Sequence, residues 1–552
     1  MLVHYGVLRP SRILVPVLIA IYIGQCLWFI RTQSFTNDEP EHLVAGLEAW
    51  RFGEFAHWHD QPPLARLLFA LPLLNTDWAY HITEDQVRLE RPAAETWLYR
   101  ARPVNMVLGI ALLLLIWFTA SRLFSEAAGT FVLALAVFSP DLIAHFSLAT
   151  IDGAGTLFFF AAVLQFVRWW RGPTRFNTIL LGVILGLFLI SKFNSPPIAA
   201  LMILLVLIRG TWRRAVAVAL IAAAVIWTGY FFHISRVVFA NGNVTIHFVG
   251  YTKHLVQEMP TLARPITIFL PACEWMTGLG MVVFHDIEGH RAFLLGNYST
   301  NGWKLYFPAA VLLKWPLIIL TLATAGVWLG RRQPRRRDLY LMTLFAAVYF
   351  GFAIFSRIDI GVRHVLPVYP FVLLYAAAVW EWARGIRFVR TLLIVMVIVQ
   401  AADIARYAPD YLSYFTVAVR PSESWKLLSD SNTDWGQGMF ALREYQRDHP
   451  AESIHLAYVG EVDPSFYGIR YTRLGESDHP AGTVVVSATD LSGQLLKDHQ
   501  AYRWLLAYPR KAILNHTLYV FDTTGTPSIN SADGGRAVAE RTHESDVRTI
   551  RQ

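Results

Sequence analysis

The sequence predicts a polytopic α-helical membrane protein with about 11 transmembrane helices, followed by a small C-terminal extracytoplasmic α/β or α+β domain. Three observations predict it. Of 552 residues, 55% are hydrophobic and only 16% charged, against about 25% charged in an ordinary soluble chain. The apolar residues come in runs long enough to cross a bilayer as helices. The arginines gather in short connections between those runs, the pattern that orients membrane helices. The formal charge of +8 is therefore an orienting charge, and no nucleic-acid partner is implied. Cys26 and Cys273 are the two cysteines, too few for a disulfide framework or a cysteine zinc site.

The first run, 13–30, follows Arg9 and Arg12 and ends at Arg31. It has no small-residue cleavage site and reads as a retained span. Further spans are expected at 104–124, 129–146, 153–170, 177–191, 197–208, 215–232, 305–329, 339–355, 366–382 and 391–405. With a cytoplasmic N-terminus, the inner connections carry Arg122, Arg168, Arg171, Arg175, Arg209, Arg213 and Arg214. They also carry the run from Arg331 to Arg337, and Arg384, Arg387 and Arg390. Every basic short loop then falls inside, as charge asymmetry requires. An odd number of spans places the polar remainder outside. The membrane part is thus 1–405, with outer loops 31–103 and 234–304; 406–527 is the outer domain, and 528–552 is polar enough to be disordered. Within the outer domain, strands are expected at 453–459, 483–487 and 518–521, and a helix at 438–448.

This topology puts the chemistry-bearing residues on one face. The first outer loop holds Asn37-Asp38-Glu39-Pro40-Glu41-His42, then His57, His59, Asp60 and Arg102. Asp141, His145 and Asp152 follow, then Lys192 and Asn194, then His285, Asp286, Glu288 and His290, and finally Arg363 and His364. Carboxylates and cations at a membrane face are costly to desolvate and mark a site for a charged group or a reaction.

These motifs resemble those of GT-C membrane glycosyltransferases, closest to the bacterial glycosyltransferase family 39 type. That group includes protein O-mannosyltransferases and resembles the lipid A aminoarabinose transferases. Thr36-Asn37-Asp38-Glu39-Pro40-Glu41-His42-Leu43 is similar to the family's Asp-Glu motif, and Gln61-Pro62-Pro63-Leu64-Ala65-Arg66 to its His-Pro-Pro-Leu segment, with Gln61 in place of the usual His. Ala149-Thr150-Ile151-Asp152 resembles the second acidic motif, and Leu189-Ile190-Ser191-Lys192-Phe193 a helix-end lysine. Gly361-Val362-Arg363-His364-Val365-Leu366-Pro367 resembles the segment before a late span, and Asp430-Ser431-Asn432-Thr433-Asp434-Trp435-Gly436-Gln437 a tail segment of bacterial members. The resemblance implies a polyprenyl-phosphate-linked sugar donor, a lipid, glycan or protein acceptor, and an active site on the periplasmic side of a bacterial inner membrane.

The residues carry that chemistry in their own right. A sugar on a polyprenyl phosphate has its lipid in the bilayer and its sugar–phosphate bond at the interface. Transfer needs a carboxylate there to deprotonate the acceptor hydroxyl, and cations to hold the departing phosphate. Asp38 fits the base, Glu39 shapes its surroundings, and Asp152 orients the acceptor or supports a cation. Lys192, Arg363, His364, His290 and Arg102 are the candidates for binding the substrate phosphate. A single displacement inverts the anomeric centre, whereas a covalent route needs a second carboxylate closely opposed to the first.

Blander readings stand beside these. Asp38 could cap a helix beginning near Pro40, and Asp152 could cap the fourth span. Lys192 and Arg363 could snorkel to membrane lipids. His285-Asp286-Ile287-Glu288-Gly289-His290 has ligand types for a divalent metal but lacks the helical His-Glu-x-x-His spacing, and no other cofactor is implied. As whole-protein alternatives, a transporter or flippase of a lipid-linked or anionic substrate would show mid-span charges and internal repeats. An assembly protein would leave the acidic motifs unexplained.

Overall fold

The computed structural model describes residues 11–55, 60–77, 80–83, 86–90, 93–240, 243–248, 251–255 and 266–527. His57, His59 and the tail from 528 onward lie outside the described residues.

Helix α1 (Ser11–Thr32) leads into the first outer loop, which folds as α2 (Asp38–Phe52), α3 (Pro63–Ala70) and the hairpin β1 (Tyr80–Thr83) and β2 (Gln86–Leu89). Gly46 lets α2 lie directly on α3: a Cβ there would stand 2.2 Å from the Arg66 carbonyl oxygen. The second span, α4 (Ala93–Leu123), begins at Ala93 rather than at 104, so Arg102 sits inside a helix and not in a loop.

Then come α5 (Glu126–Val137), α6 (Pro140–His145), α7 (Ile151–Arg171), α8 (Arg175–Leu189), α9 (Pro196–Arg209) and α10 (Trp212–Gly229). The second long loop forms an antiparallel sheet ordered β5-β4-β3-β6, from β3 (Ile234–Ala240), β4 (Asn243–Phe248), β5 (Tyr251–Leu255) and β6 (Ile266–Pro271). It continues through α11 (Cys273–Glu288) and the hairpin β7 (Ala292–Leu294) and β8 (Asn297–Ser299). The remaining membrane helices are α12 (Tyr306–Lys314), α13 (Leu317–Gly330), α14 (Arg336–Phe355), α15 (Tyr369–Trp382), entered by the 3₁₀ turn Val362–Val368, and α16 (Arg387–Ala405).

The chain is a polytopic helical membrane protein, with seven helices among the described residues long and apolar enough to cross, or eight if the bent pair α12 and α13 counts as one span. The expected eleven is corrected in kind. The expected spans 129–146, 177–191 and 197–208 are shorter apolar helices, α5, α8 and α9. Prolines explain two of the breaks. Pro140 ends the expected run at α5, and Pro316 turns α12 against α13 by 115°. In both cases the missing N–H and the ring clash forbid a continuous helix.

The predicted inner loops share one end of the bundle. Arg171 pairs with Asp338, Arg335 bonds the Arg122 carbonyl, and Arg209 Nε donates to the Trp170 carbonyl at 3.0 Å.

The C-terminal region forms a mixed sheet ordered β10-β9-β11-β13-β12. It comprises β9 (Ile454–Ala457), β10 (Thr472–Arg473), β11 (Thr483–Ser487), β12 (Arg510–Leu514) and β13 (Leu518–Asp522), with helices α17 (Met439–Asp448) and α18 (Ala488–Ser492). Strand β11 alternates between two cores, as a period of two demands. Val484 and Val486 join Trp425, Leu491 and Leu505. Val485 joins Met439 and Leu442 of α17, and also Phe35, Leu43 and Trp97 of the first outer region. The C-terminal sheet and α2 therefore share one apolar core and lie on one side of the bundle.

Candidate active site

The acidic motif opens α2. Asp38 is the first helical residue and Asn37 the N-cap, so the alternative of Asp38 as cap is corrected. Successive helix residues turn by about 100°, so Asp38 and Glu39 face different surroundings.

Glu39 points into the protein. Its Oε1 accepts from Arg102 Nε at 2.8 Å and the Ala149 amide at 2.8 Å. Its Oε2 accepts from Arg102 Nη2 at 2.7 Å, the Thr36 amide at 2.9 Å and the Thr36 hydroxyl at 3.1 Å. Burial disfavours the Glu39 carboxylate, but Arg102 and these donors outweigh it and hold the group below the ordinary glutamate range. Arg102 also donates to the Gln33 and Ser34 carbonyls at 2.7 Å each. Both side chains of this pair are 0% exposed. Arg102, expected among the phosphate-binding cations, thus holds the loop that carries Asp38 and does not face the site.

Asp38 points outward and meets residues far along the chain. Arg363 Nη1 donates to Asp38 Oδ2 at 2.8 Å and lies 3.8 Å from Asp152 Oδ2. Lys192 Nζ donates to Asp152 Oδ1 at 2.5 Å. Two carboxylates and two cations therefore alternate at one end of the bundle. Asp152 is on the first turn of α7, which follows the Thr150 cap. Lys192 follows the end of α8, and Arg363 is in the turn before α15. The side chains of Asp38, Arg363 and Asp152 are 34%, 10% and 1% exposed. Of the two acids, only Asp38 reaches the surface. Among the described residues, Arg363 Nε and Asp152 Oδ2 have no hydrogen-bond partner.

His364 and His290 stand in the field of this cluster, His364 acting electrostatically with Lys192, Arg363, Asp152 and His290. Burial, then His285 and Arg363, push His290 down to about 4, so it is a neutral imidazole. His285 Nε2 lies 3.2 Å from His290 Nδ1, and Asp286 accepts from the Ser356 hydroxyl and the Arg357 amide. Among the described residues no group of three or more His, Cys, Asp or Glu is placed to hold a metal ion.

Further acids surround Asp38. Glu41, one helical turn on, is pushed up to about 8 by burial, then by Glu461 and Asp60. His42, behind it, is held down at about 3 by burial and then by the Arg66 guanidinium. Arg66 Nε donates to His42 Nδ1 at 3.2 Å.

Several residues packed against the site are given no role by the sequence. The Trp435 ring packs under the Arg363 guanidinium, 4.0 Å from its carbon. The Trp435 carbonyl accepts from the Asn37 amide, and the Gln437 carbonyl from the Ser34 amide, each at 3.0 Å. Asn432 Oδ1 accepts from the Val362 amide at 2.9 Å. Buried Lys314, a lone cation in an apolar run, donates to the Asn432 and Leu412 carbonyls at 2.5 and 2.9 Å. The signals that could have found them are that lysine and the Asp-Trp-Gly-Gln string.

Residues 98–236 match the family model for dolichyl-phosphate-mannose-protein mannosyltransferases. The match spans α4 through α10 and includes Arg102, Asp152 and Lys192. Among solved structures, the chain is similar to ArnT from Cupriavidus metallidurans bound to undecaprenyl phosphate, at 12% identity and a TM-score of 0.48 over 93% of this chain and 98% of that one. The apo form of the same ArnT gives 13% identity and a TM-score of 0.44 over 93% and 99%. The protein O-mannosyltransferase complex of S. cerevisiae bound to the sugar donor gives 10% identity and 0.47 over 73% and 90%. No curated protein sequence matches the chain.

Proposed function

We propose that this membrane glycosyltransferase moves a sugar from a polyprenyl-phosphate donor to an acceptor hydroxyl, with Asp38 as general base and inversion at the anomeric carbon. The observation that carries the reading is the alternation of Asp38, Arg363, Asp152 and Lys192, in which only one acid is exposed. The acceptor oxygen attacks the anomeric carbon and gives its proton to Asp38. The bond from that carbon to the phosphate oxygen breaks, and its electron pair leaves with the polyprenyl phosphate. Arg363 and Lys192, with His364 nearby, meet the charge that grows on the leaving group, where cations contribute most in a site shielded from water. Asp152 holds Lys192 in place and shares Arg363.

A covalent glycosyl-enzyme would need a second carboxylate within about 5.5 Å across the sugar. Asp152 is 1% exposed and bonded to Lys192, which in this reading keeps it as the partner of that cation and not as a nucleophile. In this reading Asp38 is the general base. In this reading the enzyme sits in a bacterial inner membrane, with the site and the C-terminal domain on the periplasmic face. The acceptor is a lipid, a glycan or a protein.

The transporter reading draws on one observation, buried Lys314 at the break between α12 and α13, since broken helices with intramembrane charges mark transport sites. Two of the three N–H groups of its Nζ are bonded to backbone carbonyls, which favours a structural role for this cation.

The test is release of free polyprenyl phosphate from a panel of polyprenyl-phosphate sugars by the protein in nanodiscs. Release by wild type and none by Asp38→Asn supports class and base together and names the donor. Equal release by both removes Asp38 from the mechanism. Sugar-lipid crossing vesicles without cleavage establishes the transporter.

A further inference from the structure

The string at 430–437 was singled out in the sequence and has no part in the transfer chemistry, yet it touches both halves of the site. Its contacts run in two directions. Toward α2, the carbonyls of Trp435, Gly436 and Gln437 receive the Asn37 amide, the Ser34 hydroxyl and the Ser34 amide. Toward the turn before α15, the Ser431 hydroxyl donates to the Ile360 carbonyl at 2.7 Å and Asn432 Oδ1 holds the Val362 amide. The Trp435 ring, 3% exposed, supports the guanidinium of Arg363 between those arms.

The string is itself tightly held. Lys314 Nζ clamps the Asn432 carbonyl, and the Asp430 amide donates to the Thr489 hydroxyl at 3.2 Å. Asp430 has φ +58° and Gly436 φ +91°. A left-handed non-glycine residue persists only where its surroundings over-determine it, and such residues gather at functional sites. A Cβ at Gly436 would meet Asn37 Oδ1 at 3.2 Å and the Tyr458 hydroxyl at 3.1 Å, so glycine suits the close approach as well as the φ.

We infer that residues 430–437 form a strap that sets the separation of the Asp38 and Arg363 arms, with Trp435 the positioning residue for the Arg363 guanidinium. This rests on the reading that Arg363 meets a lipid-linked phosphate. The planar guanidinium stacks on an aromatic face while keeping its N–H edges free for oxyanions. Trp435 thus fixes where Arg363 points without using up its donors.

Trp435→Leu and Trp435→Phe, compared with wild type in nanodiscs, test this with two readouts. The first is farnesyl phosphate binding, using a short lipid phosphate as probe. Trp435→Leu should weaken it about tenfold and Trp435→Phe far less, since a smaller ring keeps the stacking. The second needs no ligand: hydrogen exchange of segments 34–39 and 360–366 should speed up in Trp435→Leu while strands β11 and β13 keep their protection. Unchanged exchange in both segments overturns the strap. Faster exchange with unchanged farnesyl phosphate affinity overturns the positioning role. A wild type that binds no farnesyl phosphate overturns the phosphate reading on which that role rests, and exchange then judges the strap alone. Loss of protection in β11 and β13 as well shows Trp435 to be a general core residue and overturns the inference.

Discussion

The Glu39–Arg102 pair and the Asp38–Arg363 pair begin one residue apart on α2, each joining a carboxylate to an arginine. The first is sealed from solvent, bidentate and surrounded by further donors. The second has a single contact, a partly exposed acid and an arginine with an unused Nε. A fully satisfied pair has nothing left to offer a substrate. A pair with spare valence at the surface can exchange its partner for one. The difference separates the residue that builds the loop from the residue proposed to act.

The largest expected effect breaks that comparison at Asp38. Asp38→Asn keeps the shape and removes the proton acceptor, so polyprenyl phosphate release should fall about 10²- to 10⁴-fold with the melting temperature unchanged. Next, Glu39→Gln leaves the Arg102 charge buried and uncompensated, a loss of about 3–5 kcal/mol read by thermal unfolding. If Glu39→Gln melts like wild type and loses only transfer, the two pairs do not differ in the way described. Third, Arg363→Ala should weaken farnesyl phosphate binding about tenfold or more in a titration, whereas Arg102→Met should affect stability first.

The smallest effect concerns pH and the joint behind the strap. Burial, then the neighbouring Asp434, raises Asp490 to about 7, and burial raises Asp434 to about 6. Carboxyls raised in the folded state favour folding below their ordinary values near 4 and lose that contribution as pH climbs through 6 to 7. Stability should therefore decline across that window. Asp490→Asn should flatten the decline, as thermal unfolding at pH 5 and pH 8 would show.

The sequence carried the membrane class because apolar length is a strong signal. Each expected span has a helical counterpart, and Pro140 and Pro316 explain where two of them broke. It carried the acidic motif because two carboxylates at a membrane face stand out. It named Asp38 as the base and Glu39 as the residue shaping its surroundings, but the rotation about the helix axis that turns the two side chains to different partners is set by packing and has no local signal. Arg102 read as a ligand because α4 was expected to begin at 104; the helix starts earlier and takes the guanidinium inside. The strap was illegible for another reason. Its partners, Ser34 and Asn37, lie about 400 residues away along the chain, and no local period records such a meeting.

That meeting also has an order in time. Ribosomes deliver the chain from its N-terminus, so Asp38 emerges long before the residues that fix its place. Strand β13 sits inside the C-terminal sheet, between β11 and β12, and the turn beside it packs against Gly438 at the end of the strap. A chain halted after α16 would already own all four charged groups of the cluster and still lack the segment that spaces them. Competence thus arrives with the last strands, and a prematurely terminated product would be inserted but inert.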